Sequence, residues 1–458
     1  MKYPKIDELL GGWRGDIVET LGRWISIPSV KAPPQGDKPF GEFMADMLNM
    51  ALNDATSLGF KARNVDNYAG DVTLPGGDNV CGVLVHLDVV PEGEGWTRPP
   101  YGGVIEGNRI YGRGASDNKG PAVAALFALR AVKEAGVPLK DSVRLIFGCD
   151  EESGWEDIAY YQSKHKMPDY GFSPDAGFPV YHAEKGIIHP LLTAVVSDSR
   201  LISLAGGTAA NVVPPSAAAM VRINEQTARA AIEPLARSGL KLSVAASGEG
   251  TVKLTAQGKP AHGAGPENGI NAAGMLLMAL NAMGVGGAQV AFLAEKIGMA
   301  YDGEGLGVKC QDEPSGVLTM NLGTLKLAEG KILAQLDIRY PVTVERDWVF
   351  DTIANMAAKY GFDTSVRNEK GPLYFPKDHP LIVSLLKVYE EVTGNEGYVM
   401  TMGGGTYARA LPCGVAFGAG FPGSDPECGH QSDEFTDIDN LMLAARVIAH
   451  AIAELAGA

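Results

Sequence analysis

Of seven residues able to bind a metal or move a proton, five stand just beyond segments that read as strands or just ahead of a helix, and His430 sits in a glycine-rich tail. His86 and Asp88 lie in Val85-His86-Leu87-Asp88, and Asp117 ends Gly112-Arg113-Gly114-Ala115-Ser116-Asp117. Glu151 and Glu152 lie in Cys149-Asp150-Glu151-Glu152-Ser153-Gly154, Asp175 in Ser173-Pro174-Asp175-Ala176, and His430 in Cys428-Gly429-His430-Gln431. Two imidazoles with several carboxylates and no thiolate suit zinc, cobalt or manganese in a catalytic site. Carboxylates packed together without partners repel one another, and divalent cations remove that penalty. A carboxylate shared by two ions typically sets them about 3.5–4 Å apart, near enough to hold one hydroxide between them. Each residue alone has a plainer use: Asp88 could close a turn, Asp117 could cap a helix, and Glu151-Glu152 could be solvated surface. The case for chemistry is that four separate loops offer ligand types at one sheet edge.

The elements that must position these residues can be read from apolar spacing. Phe43, Met44, Met47, Leu48 and Ala51 recur at helical intervals. Residues 80–85 and 143–148 are short, nearly unbroken apolar runs, as expected of strands covered on both faces. Between them a helix is predicted over about 121–135, with Ala122, Ala125, Leu126, Leu129 and Val132 on one side and Gly136 and Pro138 as stop signals. Strand, helix, strand in this order implies right-handed crossovers, so an α/β fold with a mostly parallel sheet and helices on both faces. The middle of the chain differs. Stretches 226–238 and 270–283 read as helices, whereas 241–246, 251–257, 316–322 and 332–338 alternate like half-exposed antiparallel strands. After Gly371-Pro372 the doubly buried texture returns, ending in a helix with Leu441, Ala445, Ile448, Ile452 and Leu455 on one face. The expected organisation is a metal-binding α/β domain of residues 1–185 and 372–458, with an α+β domain inserted at 186–371.

Composition narrows the partners. Of 458 residues, Lys and Arg number 39 against 54 Asp and Glu, a net charge of −15 that argues against nucleic acid or an anionic membrane surface. Five scattered cysteines with no C-x-x-C pair suggest neither a thiolate zinc knuckle nor a disulfide framework, and a reducing cytoplasm is the expected setting. The opening Met1-Lys2-Tyr3-Pro4-Lys5 lacks a signal-peptide core, and no apolar stretch is long enough to span a bilayer.

The motifs His86-Leu87-Asp88, Gly112-Arg113-Gly114-Ala115-Ser116-Asp117-Asn118-Lys119-Gly120 and Asp150-Glu151-Glu152-Ser153-Gly154, followed by Asp175 and His430, carry a resemblance. The chain resembles the metallopeptidase family that contains carboxypeptidase G, aminoacylase, succinyl-diaminopimelate desuccinylase and the bacterial dipeptidases. Gly93-Glu94-Gly95-Trp96, Gly403-Gly404-Gly405-Thr406-Tyr407-Ala408-Arg409 and the long insert make it most similar to the PepV-type dipeptidases. The resemblance implies one ion held by His86 and Asp175, another by Glu152 and His430, and Asp117 bridging them. It implies Glu151 as general base and later acid, and Asp88 as the residue that orients the histidine ligand. From the insert, His262 in Gly258-Lys259-Pro260-Ala261-His262-Gly263 matches the histidine that stabilises the oxyanion. Asn211 and Arg339 match residues that grip the substrate near its C-terminal carboxylate. Gly404 and Thr406 belong to a run that lacks the Lys-Ser/Thr of a phosphate loop and reads as a backbone-lined substrate wall. In the long type the enlarged lid takes the place of a partner subunit, so a monomer is expected, its lid closing over small substrates.

The expected activity is a dipeptidase that uses two divalent cations, zinc foremost with manganese or cobalt as alternatives, a hydroxide shared between them, and Glu151 as base. The same constellation would serve an N-acyl amino-acid deacylase or desuccinylase. A non-catalytic metal- or peptide-binding protein on this scaffold would have no need of Glu151. A nucleotide-binding α/β protein would need a phosphate loop after the first strand, which is missing.

Overall fold

The structure is a computed structural model that describes residues 2–248, 250–424 and 428–458. The chain divides into two compact units, Met1–His182 with Phe375–Met400 and Gly405–Ala458, and Ala183–Tyr374 with Thr401–Gly404.

In the first unit the apolar run at 80–85 is the central strand Val80–His86. Ser142–Gly148 and Tyr170–Ser173 flank it in parallel, and Gly414–Ala416 adds in parallel beside Tyr170–Ser173. Outward from Ser142–Gly148 the sheet continues antiparallel through Ala69–Leu74 to Ala62–Val65. Strand residues alternate between faces, and both faces are covered. Leu84 and Ile146 pack with Ile158 and Tyr161 of the helix Glu156–Lys164 and with Tyr407. On the opposite face Phe147 meets Trp24 edge-on, with ring centroids 6.1 Å apart, and the helices Lys119–Glu134 and Ile438–Ala456 lie against Val80–His86. Full burial of each large apolar side chain stabilises by about 1.5–3 kcal/mol, and the central strand carries no charged side chain before His86. The pairing of His86 with Gly148 and of Val83 with Phe172 brings the carboxyl ends of three parallel strands to one edge. Whatever follows those strands emerges there.

The second unit is built on an eight-stranded antiparallel sheet. Its order is Leu242–Ala246, Val252–Gln257, Ser216–Val221, Leu201–Gly206, Thr319–Ala328, Lys331–Tyr340, Gly186–Val195 and Asp363–Lys370. Burial alternates along Val252–Gln257, and the inward residues Leu204, Ala219, Leu254 and Leu336 share a core with Leu276 and Leu280 of the helix Ala272–Ala282 and Ile353 of Arg346–Ala358. The strand expected at 316–322 is displaced. Gly316, at φ +77°, turns the chain, Gly316–Val317 pairs separately with Gln311–Asp312, and the long strand is Thr319–Ala328 with its register shifted between Leu322 and Thr324. Gly323 permits that shift because a Cβ there would collide with the backbone of Ala210. Among the described residues no helix is long and apolar enough to cross a membrane.

Candidate metal centre

His86 is the last residue of the central strand and is buried. Its Nδ1 faces the backbone carbonyl of Asp88 at 2.9 Å. A carbonyl only accepts, so Nδ1 carries the proton and Nε2 is the outward nitrogen. Nε2 lies 3.1 Å from Asp117 Oδ1 and 3.4 Å from Asp175 Oδ1. The other Asp117 oxygen, Oδ2, is 3.1 Å from His430 Nε2, which is 2.9 Å from Glu152 Oε1. Asp117 thus divides its two oxygens between two imidazoles, and each imidazole has a second carboxylate of its own. Ligand atoms of His86, Glu151 and Asp175 fall within 4.8 Å of one another, as do those of His86, Asp117 and Glu152. Glu152 is therefore within reach of both histidines, but its direct contact is with His430.

Local structure explains these placements. Asp117 stands one position ahead of Asn118, the N-cap residue of Lys119–Glu134, and no side chain caps that helix, so its carboxylate is not spent as a cap. Asn118 Nδ2 donates to Asp175 Oδ1 and to the carbonyl of Pro174, each at 2.9 Å, while its Oδ1 faces the backbone N–H of His86 at 3.3 Å. The buried carboxylate of Asp88 accepts the N–H of Glu151 at 3.1 Å and of Glu152 at 3.0 Å. Below that turn, buried Asp157 accepts the N–H groups of Cys149 at 2.6 Å and Asp150 at 3.0 Å, and the hydroxyl of Tyr407.

Charge is balanced inside the cluster. Burial pushes the Glu152 carboxyl up to about 7, with the Asp117 charge adding to the effect and His430 opposing it. Burial likewise raises Asp175 although His86 opposes it. The surrounding protein works against an ionised Asp117, yet hydrogen bonds from His430 and His86 hold it far below the ordinary carboxylate range. His430 is pushed up to about 11 by hydrogen bonds to Asp117 and Glu152. Protons on two imidazoles compensate the crowded carboxylates. Divalent cations between the same atoms would do so in their place, taking neutral imidazole nitrogens as ligands. Two imidazoles and four carboxylates without a thiolate fit a zinc, manganese or cobalt pair.

The second unit brings Asn211, His262 and Arg339 together. Gly263 N–H donates to the carbonyl of Asn211 at 2.7 Å, and Val212 bridges His262 in antiparallel register. Asn321 Nδ2 holds the carbonyls of Ala210 at 2.8 Å and Val212 at 3.0 Å. Asn211 and His262 are exposed. His262 Nδ1 accepts the N–H of Ala264 at 3.1 Å, which leaves Nε2 as the donor of the neutral ring. Arg339 is buried. Its Nε and Nη2 donate to the two oxygens of Asp337 at 2.7 and 2.8 Å, and Nη1 donates to the carbonyl of Gly403 at 2.7 Å. Beside it Gly404 is open, since a Cβ there would meet only Met402 Sδ at 3.7 Å. Thr406 lies in the first unit and is buried, its Oγ1 accepting the N–H of Ala408 at 3.2 Å at the start of the short helix Tyr407–Ala410.

Three residues of these networks, Asn118, Asp157 and Asp337, were not singled out by sequence. Asp337 had a signal, because residues two apart on a strand share a face and Arg339 follows it at that interval. Burial pushes the Asp337 carboxyl up, but His189, 3.2 Å away, and Arg339 outweigh this and hold it below the ordinary range.

The geometry can be set beside known proteins. The family described as Peptidase family M20/M25/M40 matches residues 82–454, a span that includes every residue from His86 to His430. The Bacillus subtilis (strain 168) protein named "Putative dipeptidase YtjP" is 39% identical over 455 residues, 96% of this chain and 97% of its own. Human carnosine dipeptidase 1 shares the fold with a TM-score of 0.63 at 15% identity, over 99% of this chain and 98% of that one. The dipeptidase Dug1p from Saccharomyces cerevisiae shares it with a TM-score of 0.60 at 14% identity, again over 99% and 98%. With the match running through both units and through all the ligand-bearing loops, this chain belongs to peptidase family M20/M25/M40.

Proposed function

We propose that this chain is a metal-dependent dipeptidase that hydrolyses the amide bond of small peptides bearing a free C-terminal carboxylate. The observation that carries the reading is the division of Asp117 between His86 and His430, each with its own further carboxylate, beside Glu151. His86, Asp117 and Asp175 would hold one divalent cation, and His430, Asp117 and Glu152 the other. Such cations supply Lewis acidity, lowering the pKa of water and polarising a carbonyl. Glu151 acts as the proton carrier: a carboxylate oxygen takes the proton of the attacking water and returns it to the departing amine. The bond from its N–H to Asp88 Oδ1 fixes the backbone from which that carboxylate projects. Glu152, occupied as a ligand, is unsuited to the same task. The dipeptidase name shared by YtjP, Dug1p and carnosine dipeptidase 1 supports the substrate class.

Arg339 supplies the reason for a terminal carboxylate. Three of its five N–H groups are engaged by Asp337 and Gly403, and one remains on each terminal nitrogen, the pair that grips a carboxylate in parallel. Asn211 adds a polar contact, and the Nε2–H of His262 is the donor suited to a carbonyl oxygen acquiring negative charge. Zinc as the physiological ion, a monomeric state and a cytoplasmic setting complete the proposal, the last supported by five cysteines that are all free thiols.

The test is a substrate panel on protein stripped by a chelator and reconstituted with zinc, cobalt or manganese. Ordinary dipeptides and β-alanyl-histidine should be cleaved, whereas C-terminally amidated dipeptides and N-acetyl amino acids should resist. Preference for N-acetyl amino acids would make the chain a deacylase. Full metal loading without hydrolysis of any substrate would make it a binding protein.

A further inference from the structure

Glu434 is fully buried four residues beyond His430, and the proposed chemistry makes no use of it. Its Oε1 accepts the N–H groups of Ser116 at 2.9 Å and Asp117 at 3.1 Å and the Ser116 hydroxyl at 3.0 Å. Its Oε2 accepts the N–H of Gly114 at 3.1 Å and Nη1 of buried Arg113 at 2.6 Å. Successive backbone N–H groups turned inward form a nest for an anion, and here the anion is a side chain from the far end of the sequence.

Strand register brings it there. Phe435–Asp437 pairs antiparallel with Arg109–Tyr111, Phe435 opposite Tyr111, so Glu434 falls beside Gly112, whose N–H donates to the Glu434 carbonyl at 2.8 Å. The segment also closes on itself. Cys428 Sγ accepts the N–H of Phe435 at 3.2 Å and its thiol reaches the Phe435 carbonyl at 3.4 Å. His430 rides in this pinched loop with a φ of +64° and a side chain 50% exposed. Gly429 lies on Asp117, since a Cβ there would stand 3.2 Å from Asp117 Oδ2. One carboxylate therefore fastens the backbone of Asp117 to the loop that carries His430.

The other ligands are secured by different means. His86 ends a buried strand, Asp175 is held by Asn118, and the backbone of Glu152 is held by Asp88. We propose that Glu434 is a positioning residue that sets the spacing between Asp117 and His430, so that the cation shared by His430, Glu152 and Asp117 binds tightly only while Glu434 grips the 113–117 loop. The proposal rests on the two-cation reading and adds an asymmetry to it: loss of the grip loosens one cation and spares the other. Glu434→Gln is the informative change, because the amide turns a donor onto a row of donors while keeping the side chain's shape.

Wild-type and Glu434→Gln chains, stripped by a chelator, are equilibrated against a series of buffered free zinc concentrations, and bound zinc is counted by elemental analysis. The wild type should hold two ions per chain. Glu434→Gln should hold the first with unchanged affinity and the second at least tenfold more weakly, and Glu434→Asp, which still accepts on every side, should fall between. With cobalt as the probe, the visible spectrum of the second site should be missing at two equivalents and return in excess metal. The kcat of Glu434→Gln for a dipeptide should climb towards the wild-type value as zinc is raised, with KM unchanged. A folded Glu434→Gln chain that binds both ions like the wild type overturns the proposal. If that variant does not fold, Glu434→Asp decides by the same count, and wild-type affinity for the second ion overturns it. A wild-type chain that binds fewer than two ions instead overturns the two-cation reading, and this proposal with it.

Discussion

Exchanging Asp88 for asparagine removes a single charge from beneath the proposed proton carrier and its neighbour. The two oxygens of this buried carboxylate accept one N–H each, from Glu151 at 3.1 Å and from Glu152 at 3.0 Å. Asparagine has one acceptor oxygen and must turn its amide nitrogen onto the other N–H, leaving a buried donor unpaired at a cost of about 1–3 kcal/mol. The contact of Asp88 with His86 should survive, because its shorter component is the backbone carbonyl at 2.9 Å and only the longer one, at 3.4 Å, is the carboxylate. The chelator-treated Asp88→Asn protein should thus lose about 1–3 kcal/mol in urea denaturation. Its zinc-saturated form should lose kcat, by about 100-fold if the released turn moves a carboxylate by 1 Å. KM should stay constant, since the substrate grip lies elsewhere. Stability within about 0.5 kcal/mol of wild type, together with unchanged kcat, would refute the claim that Asp88 holds the glutamate turn.

Three more substitutions separate the parts. Glu151→Gln should keep two-ion binding by elemental analysis while kcat falls about 10²–10⁴-fold, the usual contribution of a general base; wild-type turnover would remove Glu151 from the mechanism. Arg339→Lys replaces a planar fork with a point charge, so kcat/KM for a dipeptide should fall about 10–150-fold, equivalent to one charge-assisted hydrogen bond of about 1.5–3 kcal/mol; an equal loss on an amidated dipeptide would show that the carboxylate is not its target. Gly263→Ala would set a Cβ 2.5 Å from Asp337 Oδ2 and 3.0 Å from the backbone of Asn211. It should destabilise by about 1–3 kcal/mol and raise KM, and neutrality in both assays would mean the cluster is looser than its geometry.

How far the sequence carried the fold depended on the kind of signal. Residues 80–85 and 143–148 read as strands because a strand covered on both faces must be apolar throughout, and they lie side by side in parallel. The residues just beyond them could then be assigned to one edge, which is where the structure gathers the two histidines and their carboxylates. The shift at Leu322–Thr324 had no such mark, since it depends on Gly323 meeting Ala210 from another segment. Glu434 was illegible for a similar reason. Its residue type says that it accepts hydrogen bonds, but its donors come from residues 113–117, brought near only by strand pairing.

The pairing of Asp337 with Arg339 bears on how a dipeptide is captured. A guanidinium whose charge is already cancelled by its own strand neighbour offers an incoming anion almost no pull at a distance. The chain's overall −15 offers less than none. Capture must then rest on hydrogen-bond direction at touching range, which dissolved ions do not screen as they screen charges about 10 Å apart at 0.1 M salt. The enzyme should keep nearly the same KM for a zwitterionic dipeptide in dilute buffer and in brine.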